Sequence, residues 1–526
     1  MISLGHRLLK GDNLLINEWN TTQFIGIFYV PFIFIYTSIK GSTEGLILFC
    51  RLVYVAWWIL VGVLLYKRQK QFGWISIISM TIFLLYTPLD EMSLTYNALC
   101  FSFLLVFLSY FFTEGNAFGD YINGIVLVCI VLAYPTALVV YFAYALMVII
   151  KNIFRINTNT KLSRMLSWKV FLRIISFSAF IAVVFFILLC IIGISDIFTS
   201  IKSILLFQAE KESIIRKLIN LVLGIYQTLP IQSVLGLLCL VISIIDRNRN
   251  KRVYLYLLIQ TVLFTISVVW ILKSNLYGFN IIMIPLIFPG LQAIVLIKQR
   301  NYTYILTFVL FGVIFAICSY FTSDTGLLAF SNGMAITDFA WILYIYQLCS
   351  ENKLKRKNIL SLSLAILIVF QIGSEFYLKL MRYYWDEITP NLNSVIQSGA
   401  AKGIITTKKN SELYNKVLED IQTIRTQTNG NEELGFLSLS LFPSAYLDMN
   451  YNYSTFSSWT YSNNGLNFSV LNDKLSLYFT NTPNKVPDII YILNEDKQHL
   501  NKIKCLDYND YQEIILESGV AYIKKK

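Results

Sequence analysis

The chain has 526 residues, of which 56% are hydrophobic and only 14% charged, and its mean hydropathy is +0.60. Soluble domains carry roughly 25% charged residues, so this composition excludes an ordinary soluble protein. The net charge of +12 arises largely in short connections between apolar runs, which gives no reason to expect nucleic acid as a partner.

Apolar runs recur from residue 44 to residue 378. A membrane-spanning helix needs about 20 mostly apolar residues. We therefore predict an α-helical polytopic membrane protein whose spans lie near 44–65, 71–88, 94–113, 121–134, 136–151, 171–193, 230–246, 253–272, 279–297, 303–321, 333–349 and 358–378. The run Phe24–Ile39 has only 16 residues and contains Pro31, so it suits an interfacial or re-entrant helix better than a thirteenth span.

Alternate connections between these spans are basic. Because cytoplasmic loops carry an excess of Lys and Arg, we place these connections in the cytoplasm and the intervening ones outside. The cytoplasmic set contains Lys67, Arg68, Lys70, Lys151, Arg155, Lys161, Arg164, Lys169, Arg247, Arg249, Lys251, Arg252, Lys298, Arg300, Lys353, Lys355, Arg356 and Lys357. The same alternation puts the C-terminal region outside the cell membrane.

This orientation leaves Met1 outside without a preceding hydrophobic segment to carry it across. Either Phe24–Ile39 spans the membrane, or the chain is N-terminally truncated and an upstream helix is missing. We favour the missing helix.

Carboxylates in two outer segments are candidates for chemistry. Asp12 and Glu18 lie near Lys10 and Trp19 in the first segment, where Trp19 is typical of the membrane interface and Asp12 of a helix cap. In the second segment, Pro88 is followed by the adjacent Asp90 and Glu91. That pair is interpreted either as a solvated turn or as a base or divalent-cation site.

Arg51 lies about seven residues inside an apolar span, roughly 10 Å below its outer end. It either extends to the lipid headgroups or binds a phosphate, which its planar donors fit well. Asp338 and Glu375 also lie within spans and are candidate partners for a base. The connection 194–229 contains an amphipathic surface helix, which either guides a lipid-linked substrate or forms a structural belt.

After about residue 380 the composition becomes that of a soluble domain. A helical pattern covers 409–427, short buried strands are predicted at 434–441 and 487–493, and a hairpin joins 512–516 to 519–523. We predict a small α/β domain over 381–526, a transmembrane domain over 44–380 and a first outer loop with interfacial helices over 1–43. The Tyr- and Asn-rich segment 446–467 either contacts a sugar or is a surface loop.

Short patterns in the first hundred residues resemble the GT-C superfamily of integral-membrane glycosyltransferases, in particular a bacterial group within it. They are Arg7-Leu8-Leu9-x-Gly11-Asp12, Glu18-Trp19-Asn20-x-x-Gln23, Gly41-Ser42-Thr43-Glu44-Gly45, Arg51-Leu52-x-Tyr54 and Tyr96-Asn97. The many spans, the first outer loop and the outer C-terminal domain are also similar to that superfamily.

The resemblance implies transfer of a sugar from a polyprenyl-phosphate donor to a glycan or glycolipid acceptor of the cell envelope, with inversion. It also implies a catalytic acid that would precede Ser3 and therefore Met1. Within this chain, the candidate catalytic acids are Asp12, Glu18, Asp90 and Glu91. The candidate phosphate contacts are Arg51, Lys10 and Lys273, and Asp90 with Glu91 would hold a divalent cation if the reaction uses one.

The competing hypothesis is a non-catalytic or transport role in surface polysaccharide assembly. A flippase is expected to place several charges deep in its spans, and this chain places few. A polymerase usually has a large arginine-rich outer loop, whereas 194–229 contains only Arg216. A pseudoenzyme that retains the donor groove without the acid is the third alternative.

Overall fold

The structure is a computed structural model that describes residues 1–153, 164–208, 213–273, 281–296, 303–322, 325–350, 357–381, 386–459 and 467–525. The part before residue 382 is helical. Its helices are α1 Ile2–Leu9, α2 Ile25–Lys40, α3 Leu46–Gln69, α4 Trp74–Leu85, α5 Tyr96–Ser109, α6 Ala117–Ala133, α7 Leu138–Ile153, α8 Trp168–Gln208, α9 Ile214–Thr228, α10 Pro230–Ile245, α11 Arg249–Lys273, α12 Ile287–Leu296, α13 Thr303–Thr322, α14 Leu327–Ser350 and α15 Lys357–Met381.

In the described residues, each of the twelve predicted spans coincides with helical structure, which confirms the polytopic helical architecture. By length and composition, four helices in the described residues can cross a membrane, and a fifth span forms if the bent pair α9 and α10 is counted as one. Seven further apolar helices have 10–17 residues, and α2 is one of them. Whether α2 crosses the membrane stays a prediction.

Small residues bring α13 and α14 into close contact. A Cβ added at Gly333 of α14 would lie 2.2 Å from the backbone nitrogen of Ala316 and 2.3 Å from the carbonyl oxygen of Gly312, both on α13. Only glycine permits this approach, and close backbone packing is a main source of stability between helices in lipid.

The C-terminal domain is α/β, as predicted. Its main sheet has the strand order β4-β3-β5-β7-β6, and a separate pair joins β1 to β2. Strand β5 pairs in parallel with β3 and antiparallel with β7. The elements are β1 Ser394–Val395, β2 Ile405–Thr406, α16 Lys408–Gln427, β3 Gly435–Ser438, α17 Ser444–Met449, β4 Asn452–Tyr453, α18 Phe468–Asn481, β5 Ile489–Leu493, β6 Tyr511–Ile515 and β7 Gly519–Lys524.

Helices cover both faces of this sheet. Alternate side chains of the central strand β5 point to opposite faces of the sheet. Because both faces are covered, every residue of β5 is buried. Ile489 and Tyr491 pack with Val417 and Ile421 of α16, whereas Ile490 packs in a second cluster that includes residues of α18. The domain is therefore a three-layer structure with the sheet in the middle.

The N-terminal segment is built into the C-terminal domain. Trp19 is only 6% exposed and packs edge-on against Tyr478 at 5.4 Å between ring centroids. Its indole N–H donates to the carbonyl oxygen of Ile16, and its backbone N–H donates to Phe456. The expected interfacial position of Trp19 is therefore wrong, because the indole finds its apolar and polar partners inside the protein.

The connection after the span in α8 also packs against this domain. Helix α8 bends at Gly193, where φ is 135°. Beyond the bend, Ile204 lies in the same apolar cluster as Trp19, and Asn481 of α18 donates to the Ser203 hydroxyl at 3.1 Å. These contacts favour the structural interpretation of the predicted surface helix.

Candidate functional site

Charged and strained residues collect at the end of the helical bundle where α3 begins and α15 ends. The loop 88–94 between α4 and α5 lies here. The Lys379 ammonium, in the last turn of α15, donates to the carbonyl oxygen of Leu84 at 3.0 Å and to the Thr87 hydroxyl at 2.9 Å. We call the region formed by loop 88–94, Arg51 and Lys379 the bundle mouth.

The backbone of this loop is strained. Leu89 and Asp90 are consecutive residues in the left-handed region, with φ values of 57° and 53°. Both side chains are buried, and the Asp90 N–H donates to the carbonyl oxygen of Thr87 at 3.0 Å. A left-handed leucine costs of order 1 kcal/mol or more. Such strain persists where surrounding structure fixes it, and it concentrates at functional sites.

Glu91 is the half-buried carboxylate of the bundle mouth. Burial raises the pKa of Glu91 to about 7, and the positive charges of the Met1 amino group and Arg51 oppose this rise. The charge of Arg51 therefore favours the ionised form of Glu91. A carboxyl group whose pKa lies near neutrality can take up and release a proton at physiological pH, as a general base must.

Asp90 has a different environment. It interacts electrostatically with Glu375 and with Lys379, both on α15. Glu375 is 1% exposed and Asp338 is fully buried, where it accepts a hydrogen bond from Gln371. Lys379 thus supplies positive charge to a group of buried carboxyls, which suits Asp90 to holding the loop in place more than to proton transfer.

A second set of charges surrounds Arg7 of α1. Its guanidinium is 1% exposed and donates to the Glu18 carboxylate at 2.8 Å, to the Asp12 carboxylate and to the carbonyl oxygen of Thr455. Burial opposes the charged form, but the adjacent carboxylates outweigh it and raise the pKa of Arg7. The Lys485 ammonium binds the other oxygen of Asp12. These bonds join α1 and the segment that follows it to the C-terminal domain.

The Arg7 network occupies two of the predicted catalytic acids. Asp12 uses one oxygen for Arg7 and the other for Lys485. Glu18 uses one oxygen for Arg7 and accepts the Asn20 N–H on the other at 3.0 Å. This geometry favours a structural role for both carboxylates, and a catalytic role for either stays a prediction.

The predicted phosphate contacts have different surroundings. Arg51 lies at the bundle mouth, whereas the Lys10 ammonium pairs with Glu432 of the C-terminal domain at 2.8 Å. Lys273 is exposed at the last residue of α11. Arg51 is thus a predicted phosphate contact whose charge acts on Glu91, whereas the Lys10 ammonium is held by Glu432, and a phosphate-binding role for Lys273 stays a prediction.

The predicted cation site of Asp90 and Glu91 is not part of a larger group of metal ligands in the described residues. The described part of the chain contains no group of three or more His, Cys, Asp or Glu side chains arranged to hold a metal ion. Asp90 and Glu91 would supply two protein oxygens, so any bound cation would need its other ligands from water or substrate.

Lys379, Arg7 and Lys485 are not among the site residues predicted from the sequence. Lys379 has a local signal, because a lysine directly after a predicted span that contains Glu375 is a candidate counter-ion. Arg7 lies in the pattern Arg7-Leu8-Leu9-x-Gly11-Asp12, but neither Arg7 nor Lys485 has a local signal for the partners it binds. Their roles follow from a contact between segments more than 440 residues apart, which no local pattern indicates.

No protein-family model and no curated protein matches the chain. Among solved structures, the chain is similar to the archaeal oligosaccharyltransferase AglB from Archaeoglobus fulgidus, in complex with an inhibitory peptide and a dolichol-phosphate. The alignment has 8% identity and a TM-score of 0.41, and covers 89% of this chain. The chain spans 62% of the length of that protein, and the likeness is limited to coarse architecture.

Proposed function

We propose that this protein is a membrane glycosyltransferase that moves a sugar from a polyprenyl-phosphate donor to a cell-envelope acceptor. The observation that carries the proposal is the electrostatic interaction of Arg51 with Glu91, whose loop contains the strained residues Leu89 and Asp90. Together Glu91 and Arg51 supply the two groups that this reaction needs, a base with a pKa of about 7 and a cation for the leaving phosphate.

In the proposed reaction, the Glu91 carboxylate takes the proton of an acceptor hydroxyl. The hydroxyl oxygen attacks the anomeric carbon of the sugar, and the bond from that carbon to the phosphate oxygen breaks. The electron pair leaves with polyprenyl phosphate, whose growing charge Arg51 neutralises. Guanidinium has five N–H donors, so Arg51 can engage Glu91 and still bind a phosphate.

The bundle mouth and the C-terminal domain lie outside the cytoplasm in this proposal. The orientation is supported by the alternation of basic connections, because Lys and Arg concentrate on the cytoplasmic side of membrane proteins. The polyprenyl chain of the donor would remain in the bilayer beside the apolar helices, which presents its phosphate at the end of the bundle.

The test is turnover of polyprenyl-phosphate sugars by the full-length protein in nanodiscs. A panel of donors with different hexoses is offered with a cell-envelope glycolipid extract as acceptor, and release of polyprenyl phosphate is measured. We expect Arg51→Ala to lower the rate about 10²-fold, as loss of one preorganised donor to a developing oxyanion does. Arg247→Ala, which alters an exposed arginine on a predicted cytoplasmic connection, is the matched control.

Equal rates for Arg51→Ala and wild type would remove Arg51 from the mechanism. If wild type binds the donors without consuming any of them, the result would favour the non-catalytic or transport alternative.

A further inference from the structure

A polar cleft of about 500 Å³ lies between the N-terminal segment, the part of α8 beyond its bend and the C-terminal domain. This volume is within the range of small-ligand sites. Its walls come from three separate stretches of chain, namely 10–17, 196–200 and 481–485, together with Asn452. Amide and hydroxyl side chains dominate the lining, among them Asn13, Asn17, Thr199, Asn452, Asn481 and Asn484.

Both lysines of the cleft are paired within the protein. Lys485 pairs with Asp12, and Lys10 pairs with Glu432. Asp196, the remaining lining carboxylate, is exposed and accepts from the neighbouring Ser195 hydroxyl. An anionic ligand such as a free phosphate would find no uncompensated cation here. Amides, hydroxyls and a carboxylate instead match a neutral ligand that carries many hydroxyl groups, since each can donate to or accept from a hydroxyl.

Helix α1 links the cleft to the bundle mouth. Met1, at its beginning, interacts electrostatically with Glu91, and Lys10, just after its end, lines the cleft. Nine residues at 1.5 Å per residue separate these points by about 13 Å along the helix. The cleft lies at one end of α1, and the residue at the other end interacts electrostatically with Glu91.

We propose that this cleft binds the non-reacting sugars of a neutral saccharide acceptor while the acceptor's reactive hydroxyl reaches Glu91. This inference rests on the proposed function and adds the acceptor class and a distal subsite. Asn13 and Asn484 are the side chains best placed for this role, because both are exposed in the cleft and neither side chain has a hydrogen bond among the described residues.

The first test measures binding without catalysis. The full-length protein in detergent is screened against an array of neutral oligosaccharides, and the best glycan is then titrated by calorimetry. We expect Asn13→Ala and Asn484→Ala together to weaken binding at least 10-fold. Asn501→Ala, which alters an exposed asparagine away from the cleft lining, should leave it unchanged. Binding of no neutral glycan, or equal binding by the double variant, would overturn the proposal.

A second test separates the cleft from the chemistry. Replacing Asn484 by Trp fills part of the cleft without touching Arg51 or Glu91. With an acceptor of several sugars, we expect N484W to raise KM at least 10-fold and to leave kcat within about 2-fold of wild type. Glycan binding that persists in a protein without transferase activity would contradict the proposed function but keep the cleft assignment, whereas transfer unaffected by N484W would contradict the cleft alone.

Discussion

His6 of α1 hydrogen-bonds the Tyr453 hydroxyl of β4 through Nδ1 at 3.0 Å, although 447 residues separate them in the chain. Its Nε2 lies 3.0 Å from the Asn450 side-chain oxygen, and the Asn450 amide nitrogen donates to Glu432. Because that oxygen can only accept, Nε2 carries the proton and Nδ1 accepts from Tyr453. The neutral ring therefore joins α1 to the C-terminal domain.

Because His6 is neutral in this contact between α1 and the C-terminal domain, we expect the protein to lose stability in acid. Burial lowers the pKa of His6 to about 4 from 6.5. Between these values the unfolded state binds a proton that the folded state excludes, so stability falls as the pH drops from 6.5 towards 4. The complete loss is about 3 kcal/mol. Thermal unfolding in detergent should show a falling midpoint in wild type over this range.

Substitution of each of the two histidines tests whether His6 causes this pH dependence. His6→Gln keeps a polar group but does not titrate, so its midpoint should fall less between pH 6.5 and 4 than that of wild type. His499→Gln alters the only other histidine and should follow wild type. Identical pH dependence for wild type and His6→Gln would show that another group titrates.

We expect Arg7 to be essential for the stability of the contact between α1 and the C-terminal domain. Arg7→Met removes the cation from two buried carboxylates, Asp12 and Glu18, and breaking a buried ion pair costs about 3–5 kcal/mol. We expect a lower unfolding midpoint and faster proteolysis between α1 and the domain. Arg425→Met, which removes a partly exposed arginine 3.9 Å from Glu432, should change stability by less than about 1 kcal/mol. Equal effects of the two substitutions would contradict the network.

The close packing of α14 against α13 can be tested by substituting Gly333. Gly333→Ala places a methyl group against the α13 backbone, so the helices must separate, and we expect a loss of about 2 kcal/mol or more in unfolding free energy. Gly373→Ala is the matched control, because nothing lies within 4 Å of its added Cβ and alanine is the better helix former. A Gly333→Ala protein as stable as Gly373→Ala would exclude the close approach.

The rate of sugar transfer should depend on the ionisation of Glu91. Only its deprotonated form accepts the proton of the hydroxyl, so kcat/KM should rise with pH through about 7 and then level off. Asp90→Asn should retain that inflection even if its rate is lower, because Asp90 is not the proposed base. An inflection that disappears in Asp90→Asn would transfer the role of base to Asp90.

The apolar periodicity allowed the helices to be predicted because each span is a local, continuous signal. The sequence signals for the helix and strands of the C-terminal domain are equally local, and α16 begins within one residue of its predicted start. Trp19 was misplaced for the opposite reason. An isolated indole next to polar residues is typical of a membrane interface, and its actual partners, Phe456 and Tyr478, lie far along the chain.

The site was only partly predictable. Arg51 and Glu91 are charges in or beside apolar spans, and the charge of Arg51 acts on Glu91 in the structure. Asp12 and Glu18 stood out equally, but their oxygens are occupied by Arg7 and Lys485. Side-chain type and spacing identify which residues are costly to bury. They do not reveal whether a distant cation already satisfies them.

The most direct measurement is single-turnover release of polyprenyl phosphate from a labelled polyprenyl-phosphate sugar by wild type and Glu91→Gln in nanodiscs, with the cell-envelope glycolipid extract as acceptor. We expect release by wild type with at least one donor of a hexose panel, and a rate 10²–10⁴-fold lower for Glu91→Gln, as removal of a general base produces. Release at the same rate by both proteins, or by neither with any donor, would rule out Glu91 as the base of a sugar transfer.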